Sequence, residues 1–389
     1  QEIRNRAYHA AKILLEIRGK KNIFETIKID GDMVTEADDK VQDFLDRSLM
    51  NLIPGSIVIG EESFKREVAK KALKTRFIWI VDPLDGTSSF RTPGATEYGT
   101  AICLLDNGKP VYSLFYAPEL EIGENKGCLF EASEMREGAY LNGKRIEVSE
   151  SRNLGNVDCN IHQYEEAPFE TRIKSYFRSA KKVVTEFSNS ARYCMLAASG
   201  TYPDLPVLYM KRNTKIWDII PGAFIAQKAG AKIMYLDGNE ILPVNFKMLL
   251  AFNELLWEEK GEKDRINYRV PSSIAYTAGS EEMVFKEIQK TRKEEPDVYE
   301  RFVYETTAKT EITDQKSGKI PIPRSLKSNK LPDEILERWI EDNTNETVKN
   351  VKRKIAKNLR HVSMEEFENK VKMITERLNE KLRDDETYC

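Results

Sequence analysis

Two carboxylates lie close together at the end of one apolar segment of the chain. The segment FIWIVDPLDGT (77–87) carries Asp82 and Asp85 directly after five apolar residues, and Gly86 and Thr87 follow them. The β-branched apolar run predicts a buried strand that ends sharply at the proline and the glycine. At this spacing both acids, with the carbonyl between them, are able to bind one hard cation such as Mg²⁺. A surface Asp-Pro turn would explain the same residues, so the prediction depends on other acidic segments.

Three further segments carry acids that suit the same cluster. VTEAD places Asp38 in the first turn of a helix predicted to begin near Thr35, and GEE places Glu61 after a short β-branched strand. WD places Asp218 at the start of an apolar helix predicted over about 219–228. Helix capping or solvation would explain each of these acids by itself. Adjacent carboxylates such as Glu61 and Glu62 are costly unless water or a cation neutralises them, and the joint occurrence of the four segments in this order and spacing is not explained by capping or solvation alone.

The elements around these acids predict helices packed on a sheet in the first half of the chain. Helical periodicity covers residues 2–19 and ends at Gly19. A β-hairpin is predicted with its turn at 106–109, and further antiparallel strands have an Asn-Gly turn at 142–143. In the second half, a helix is predicted over 168–182, and a short strand leads into another helix within 183–200.

Composition shifts predict three regions. These are an N-terminal half over 1–150 that carries the metal site, a C-terminal half over 151–270 that closes it, and a helical extension over 271–389. The extension is rich in Lys and Glu, and its apolar residues keep helical spacing over too short a length to predict a coiled coil. We expect it to pack on the main body or to mediate association, either as a homodimer or with a protein partner.

Charge and residue usage exclude several function classes. The 389 residues carry 61 basic and 63 acidic side chains, so no basic field attracts a nucleic-acid polymer. The five cysteines are widely spaced and form no CxxC pair, which argues against a disulfide framework or a zinc site. The three histidines are far apart, so a histidine metal site or a Ser-His-Asp triad is not expected. Catalysis must therefore rely on carboxylates.

The distribution of apolar residues predicts the compartment in which the protein acts. The sequence has no run of about 18 apolar residues and no signal-peptide core near its start. We therefore predict a protein of the cytoplasm, or of another reducing compartment, that is not inserted in a membrane. Because the chain begins at Gln1 rather than Met, this prediction leaves room for a missing N-terminal leader.

The four acidic segments, in this order and spacing, resemble those of the inositol monophosphatase superfamily of Mg²⁺-dependent, lithium-sensitive phosphomonoesterases. The resemblance is carried by WIVDPLDGT (79–87) and by WD-x₁₀-AG (217–230), and it covers roughly residues 3–256. It implies an α/β fold, a layered αβαβα sandwich of the inositol monophosphatase and fructose-1,6-bisphosphatase type. The metal site of such a fold is shared between its two halves.

The resemblance also implies a role for each matching residue. Two or three Mg²⁺ ions would be bound by four carboxylates and one carbonyl, those of Glu61, Asp82, Asp85, Asp218 and Leu84. The catalytic candidates are Asp38, which would hold a water on the metal, Glu61, and Thr87, whose hydroxyl would orient the attacking water. The candidate substrate contacts follow the turn and the second half, at Asp85, Gly86, Thr87, Ser190, Arg192 and Lys211.

Local motifs bear on the substrate. LLDNGKPVYSLFYAPE (104–119) and SARYC (190–194) look most like the 3′(2′),5′-bisphosphate nucleotidase branch of the superfamily. Inositol-specific members carry a glutamate where this chain has Lys211, and Lys211, Arg192 and neighbouring Arg212 and Lys215 would suit a second phosphate. Solvated surface lysines would explain the same residues. The alternatives are an inositol monophosphate or fructose-1,6-bisphosphate phosphatase, and a phosphatase-fold subunit that binds a partner through its helical tail.

Overall fold

The apolar FIWIV segment lies at the centre of the fold. In the computed structural model of the chain it belongs to strand Phe77–Asp85, which is buried over all but its first residue. Ile78 and Ile80 contribute to one hydrophobic core. Trp79 and Val81 contribute to a second core on the opposite face of the sheet. A strand that is buried on both faces has a continuous apolar run rather than an alternating one, and this explains the pattern seen in the sequence.

The structure describes residues 1–20, 24–28, 33–150, 188–211, 214–235, 238–260, 267–271 and 273–277, with five isolated positions between 286 and 294. These residues lie within one compact unit, Gln1–Thr310. The helix predicted over 168–182 and almost all of the predicted helical extension lie outside the described residues. Within the described part of the chain, no helix has the length and apolar character that crossing a membrane requires.

The described helices are, in chain order, α1 (Glu2–Arg18), α2 (Glu36–Leu52), α3 (Arg66–Ala72), α4 (Thr87–Arg91), α5 (Asn189–Ala197), α6 (Ile216–Lys228) and α7 (Phe246–Lys260). The described strands are β1 (Glu25–Ile27), β2 (Met33–Thr35), β3 (Ile57–Gly60), β4 (Phe77–Asp85), β5 (Gly99–Asp106), β6 (Lys109–Ile122), β7 (Asn125–Ser133), β8 (Arg136–Leu141), β9 (Lys144–Ile146), β10 (Leu208–Lys211), β11 (Thr214–Lys215), β12 (Lys232–Tyr235), β13 (Arg269–Val270) and β14 (Ser273–Tyr276).

Strands β3 to β9 form one mixed sheet in sequential order. Strands β3 and β4 run parallel, and every later neighbouring pair in this sheet is antiparallel. The predicted Asn-Gly turns are confirmed: Asn107 and Gly108 join β5 to β6, and Asn142 and Gly143 join β8 to β9, all with positive φ. Positive φ at both central positions suits the right-handed twist of a hairpin, and Asn followed by Gly tolerates it best.

Helices cover both faces of this sheet. Helices α1 and α2 share the core of Trp79 and Val81, whereas α5 and α6 share the core of Ile78 and Ile80. A three-stranded antiparallel sheet of order β10-β14-β12 contacts α5 and α6. The predicted layered α/β class is therefore confirmed. Strand β14 is the central strand of the small sheet, so this sheet continues past residue 270, where the sequence predicts a domain boundary.

Candidate metal centre

Parallel pairing of β3 and β4 brings the first two acids together. Gly60, the last residue of β3, pairs with Val81 in β4. The next residues, Glu61 directly after β3 and Asp82 within β4, therefore lie side by side at the same edge of the sheet. The Glu61 amide extends the pairing by donating to the Val81 carbonyl at 3.2 Å. The side chain of Glu61 is 15% exposed, and Asp82 is buried.

The third acid comes from the second half of the chain. Asp218 lies in the first turn of α6, where its Oδ2 accepts hydrogen bonds from the Lys215 amide at 2.9 Å and the Thr214 hydroxyl at 2.5 Å. Carboxylate oxygens of Asp218, Glu61 and Asp82 all lie within 4.8 Å of one another. The structure thus brings Asp218 together with two acids that precede it by more than 130 residues in the sequence.

Asp85 joins the turn at 83–87 to the second half of the fold. Strand β4 continues past Pro83 to Asp85 through an irregularity after Asp82, and it ends directly before Gly86, the second of the two residues that the sequence predicted to end it. The Asp85 carboxylate accepts hydrogen bonds from the backbone amides of Asn189, at 2.9 Å, and Ser190. These amides belong to the first turn of α5, where a helix lacks internal acceptors and favours negative charge. Asp85 itself therefore uses these donors.

Gly86 is required by the shape of the turn. Its φ is +89°, a conformation that favours glycine, and it caps the start of the short helix α4. A Cβ at this position would lie 2.6 Å from the Glu97 carbonyl oxygen, so the position is also too close to a neighbouring loop for any other residue. The turn is therefore fixed by local conformation and by packing.

Asp38 has two roles in the structure. Its Oδ2 accepts hydrogen bonds from the Thr35 amide at 2.8 Å and the Thr35 hydroxyl at 2.7 Å, which completes a capping box at the start of α2. Its other oxygen lies 3.2 Å from the Thr87 hydroxyl, which also lies 3.1 Å from the Leu84 carbonyl. The cap predicted from the sequence is therefore present, and the same side chain also contacts Thr87 in the turn at 83–87.

Two lysines contact the acid cluster, and neither contact was predicted from the sequence. The Lys28 and Lys215 ammonium groups lie 3.1 and 3.0 Å from Glu61 Oε1. Lys28 also lies 2.5 Å from Glu62, whose pKa is raised to about 8 by burial and by the charge of Glu61. Lys28 lies in no motif, and Lys215 was expected to meet a phosphate, so only the folded chain shows this pairing.

The electrostatics follow from crowding of the acids. Burial, followed by the negative charge of the other acids, raises the pKa of Asp85 to about 7 and the pKa of Asp82 well above its usual range. Burial also raises the pKa of Asp38 to about 6, despite its hydrogen bonds from the α2 cap. Burial opposes ionisation of Glu61 as well, but the two lysines outweigh it and lower its pKa. Cations thus decide which acids are ionised.

The remaining candidate substrate contacts lie on α5 and β10. Arg192 is 5% exposed and pairs with Glu97 at 2.9 Å, so its guanidinium is engaged by a carboxylate. Ser190 is buried beside Asp85, to which its amide donates. Lys211 ends β10, and its side chain lies outside the described residues. Asn189, which the sequence did not single out, accepts a hydrogen bond from the Tyr209 hydroxyl at 2.7 Å.

Comparison with known proteins gives a consistent result. The model of the inositol monophosphatase family matches residues 1–271. The chain is 28% identical over 265 residues to the SuhB protein of Neisseria meningitidis serogroup B, covering 64% of this chain and 94% of that protein. It is 27% identical over 227 residues to the 3′(2′),5′-bisphosphate nucleotidase CysQ of Escherichia coli K12, covering 57% of this chain and 84% of that protein.

A solved structure supports the fold. The IMPase of Thermotoga maritima superposes with a TM-score of 0.55 at 20% sequence identity, covering 75% of this chain and 96% of that one. At this identity the similarity concerns the layered architecture alone.

Proposed function

The chain belongs to the inositol monophosphatase family, and we propose that it is a phosphatase that hydrolyses a small anionic phosphate monoester and requires Mg²⁺. One observation carries the proposal: carboxylate oxygens of Glu61, Asp82 and Asp218 lie within 4.8 Å of one another. Carboxylates this close repel one another strongly unless cations lie near them. Their convergence from two halves of the fold therefore supports a cation site.

The donors of this site fit a hard divalent cation. Mg²⁺ prefers carboxylate and carbonyl oxygens, and the turn after Asp82 adds the carboxylate of Asp85 and the carbonyl of Leu84. We propose that these two groups, with the carboxylates of Glu61, Asp82 and Asp218, would hold two or three Mg²⁺ ions. When bound there, Mg²⁺ would supply an activated water and positive charge to offset the charge that builds on the phosphoryl and leaving oxygens.

Three side chains are proposed to orient the attacking water. The Thr87 hydroxyl lies between the Asp38 carboxylate and the Leu84 carbonyl, and it has one proton to donate. When the hydroxyl donates its hydrogen bond to either acceptor, its oxygen is able to accept a hydrogen bond from water. Glu61, whose pKa is lowered against the effect of burial by its two lysines, is ionised near neutral pH and is able to accept a hydrogen bond from that water.

For the substrate we propose a 3′(2′),5′-bisphosphate nucleotide. The similarity to a nucleotidase of this specificity supports the choice, as do the motifs at 104–119 and 190–194. Arg192 and Lys215 pair with carboxylates, so of the four basic candidates we keep Lys211 and Arg212 for the second phosphate. A cytoplasmic location and sensitivity to lithium belong to the same proposal.

The test is release of inorganic phosphate by the full chain, with Mg²⁺ and with Mg²⁺ plus Li⁺. The substrates would be 3′-phosphoadenosine 5′-phosphate, inositol 1-phosphate and fructose 1,6-bisphosphate. We expect Li⁺-sensitive release that is fastest from the nucleotide. Faster release from either of the other two compounds would contradict the proposed substrate while supporting the metal-dependent phosphatase. A folded protein that releases no phosphate from any of the three would contradict the proposed function itself.

A further inference from the structure

Lys215 contacts two of the three converging acids. Its ammonium group lies 3.0 Å from Glu61 Oε1. Its backbone amide donates to Asp218 Oδ2 at 2.9 Å. Glu61 follows β3 in the first half of the chain, and Asp218 belongs to α6 in the second. One residue therefore links the acids contributed by the two halves.

The surroundings of Lys215 hold its ammonium group at the cluster. The residue pairs with Arg269 in the short β11–β13 ladder directly before α6, which fixes its backbone. Its side chain is only 9% exposed, and the Nζ atom lies 5.9 Å from the centre of the Trp217 ring. This distance is at the edge of the range in which an aromatic face attracts a cation. By contrast, Lys40, which pairs with Glu36 on the surface of α2, is 54% exposed.

We propose that Lys215 is a built-in counter-cation of the metal centre, a positioning residue that holds Glu61 in the cluster and competes with the divalent ion for it. An ammonium group and a divalent cation that approach the same carboxylate oxygen repel each other, so Lys215 weakens metal binding. When no metal is bound, the same charge offsets repulsion among the acids and stabilises the fold. The inference rests on the proposed metal site and adds to it a residue that sets metal affinity.

Removing the charge of Lys215 should therefore have opposite effects on metal binding and on stability without metal. The Lys215→Met variant keeps most of the buried stem but lacks the ammonium group. In calorimetric titration of the EDTA-treated full chain with Mg²⁺, we expect it to bind about tenfold more tightly than the wild type. Its melting temperature in EDTA should fall, and saturating Mg²⁺ should restore most of the difference.

Two further variants separate charge from packing. Lys215→Arg keeps the positive charge and should retain the Mg²⁺ affinity and the EDTA melting temperature of the wild type within about twofold and a few degrees. Lys40→Met removes a lysine from an exposed pair and should change neither quantity. Together they show whether an effect of Lys215→Met comes from the ammonium charge at the cluster.

The possible outcomes distinguish this inference from the proposed function. Unchanged or weaker Mg²⁺ binding by Lys215→Met, with a wild type that does bind Mg²⁺, would overturn the role of Lys215 and leave the metal site intact. Mg²⁺ binding by Lys215→Arg that is as much tighter than the wild type as that of Lys215→Met would also overturn it, because the charge would then be irrelevant. A wild type that binds no Mg²⁺ would overturn both the metal site and the role of Lys215.

Discussion

Two groups of charged residues, each built around buried carboxylates, show how differently this fold uses charge. On one face of the large sheet, Glu131 in β7 is 4% exposed and accepts hydrogen bonds from the Arg4 guanidinium, at 2.7 Å, and from the Tyr112 hydroxyl. One carboxylate there meets one guanidinium and one phenol. The charges of this group balance, and its hydrogen bonds join α1 to the sheet.

At the edge formed by β3 and β4, the charges do not balance. In the described part of the chain, six carboxyl groups gather around two ammonium groups; the acids are Asp38, Glu61, Glu62, Asp82, Asp85 and Asp218, and the bases are Lys28 and Lys215. Burying uncompensated charge costs free energy, so folding alone would not favour such an excess. A balanced group stabilises structure, whereas a group with excess charge indicates a site for an ion of opposite sign.

The largest effect should come from removing one acid from the unbalanced group. Asp82→Asn keeps the hydrogen bond that the side chain accepts from the Leu84 amide but loses the charge. Because a bound metal contributes several kcal/mol to transition-state stabilisation, we expect turnover to fall about 10³-fold or more. Steady-state phosphate release measures this. Asp106→Asn, at an exposed pair with Arg76, is the matched control and should keep normal turnover.

The same excess of acids predicts that, without bound metal, the stability of the folded protein depends on pH. The folded-state pKa of Asp38 is raised to about 6 and that of Asp85 to about 7, from ordinary values near 3.8. Groups with raised pKa values contribute stability that is complete below pH 4 and is lost as the pH rises through the folded-state value. In EDTA, thermal unfolding should therefore show a loss of a few kcal/mol between about pH 4 and 8 from these groups. Equal stability with and without Mg²⁺ across this range would contradict the prediction.

The smallest effect should come from the balanced group. Glu131→Gln retains acceptors for Arg4 and Tyr112 but removes the charge from both hydrogen bonds. Because hydrogen bonds to charged groups are stronger than neutral ones, the free energy of unfolding should fall by about 1–2 kcal/mol. Turnover at saturating Mg²⁺ should stay the same. Chemical denaturation and phosphate release of one preparation provide both values, and a large drop in turnover would show that the two groups are not independent.

Local patterns in the sequence predicted much of this fold. The apolar run of β4, the α2 cap at Thr35 and both Asn-Gly turns are set by residues within a few positions of one another, so the sequence shows them directly. The convergence of the acids rested on resemblance rather than on spacing. The parallel pairing of Gly60 with Val81 brings Glu61 beside Asp82, and no local pattern specifies that register.

Contacts between distant residues explain what the sequence missed. Asp85 is held by amides of α5 that lie 104 and 105 residues further along the chain. Arg192 was a candidate phosphate ligand, but its partner Glu97 is 95 residues away and could not be inferred from either segment. The pairing of Lys28 and Lys215 with Glu61 could not be predicted either, since solvated lysines are common in a chain with this many charges. These pairings are set by contacts between segments that are distant in the sequence, not by local spacing.

The claim that the excess buried acids bind a divalent cation is tested most directly by melting temperatures. These would be measured for the wild type and Asp82→Asn, each in EDTA and in saturating Mg²⁺. If the acids gather to bind a divalent cation, Mg²⁺ raises the melting temperature of the wild type by several degrees. Asp82→Asn then melts at or above the wild type in EDTA, because repulsion is relieved, and gains little from Mg²⁺. A wild type that does not respond to Mg²⁺, or a variant that responds as strongly as the wild type, would contradict a metal centre at Glu61, Asp82 and Asp218.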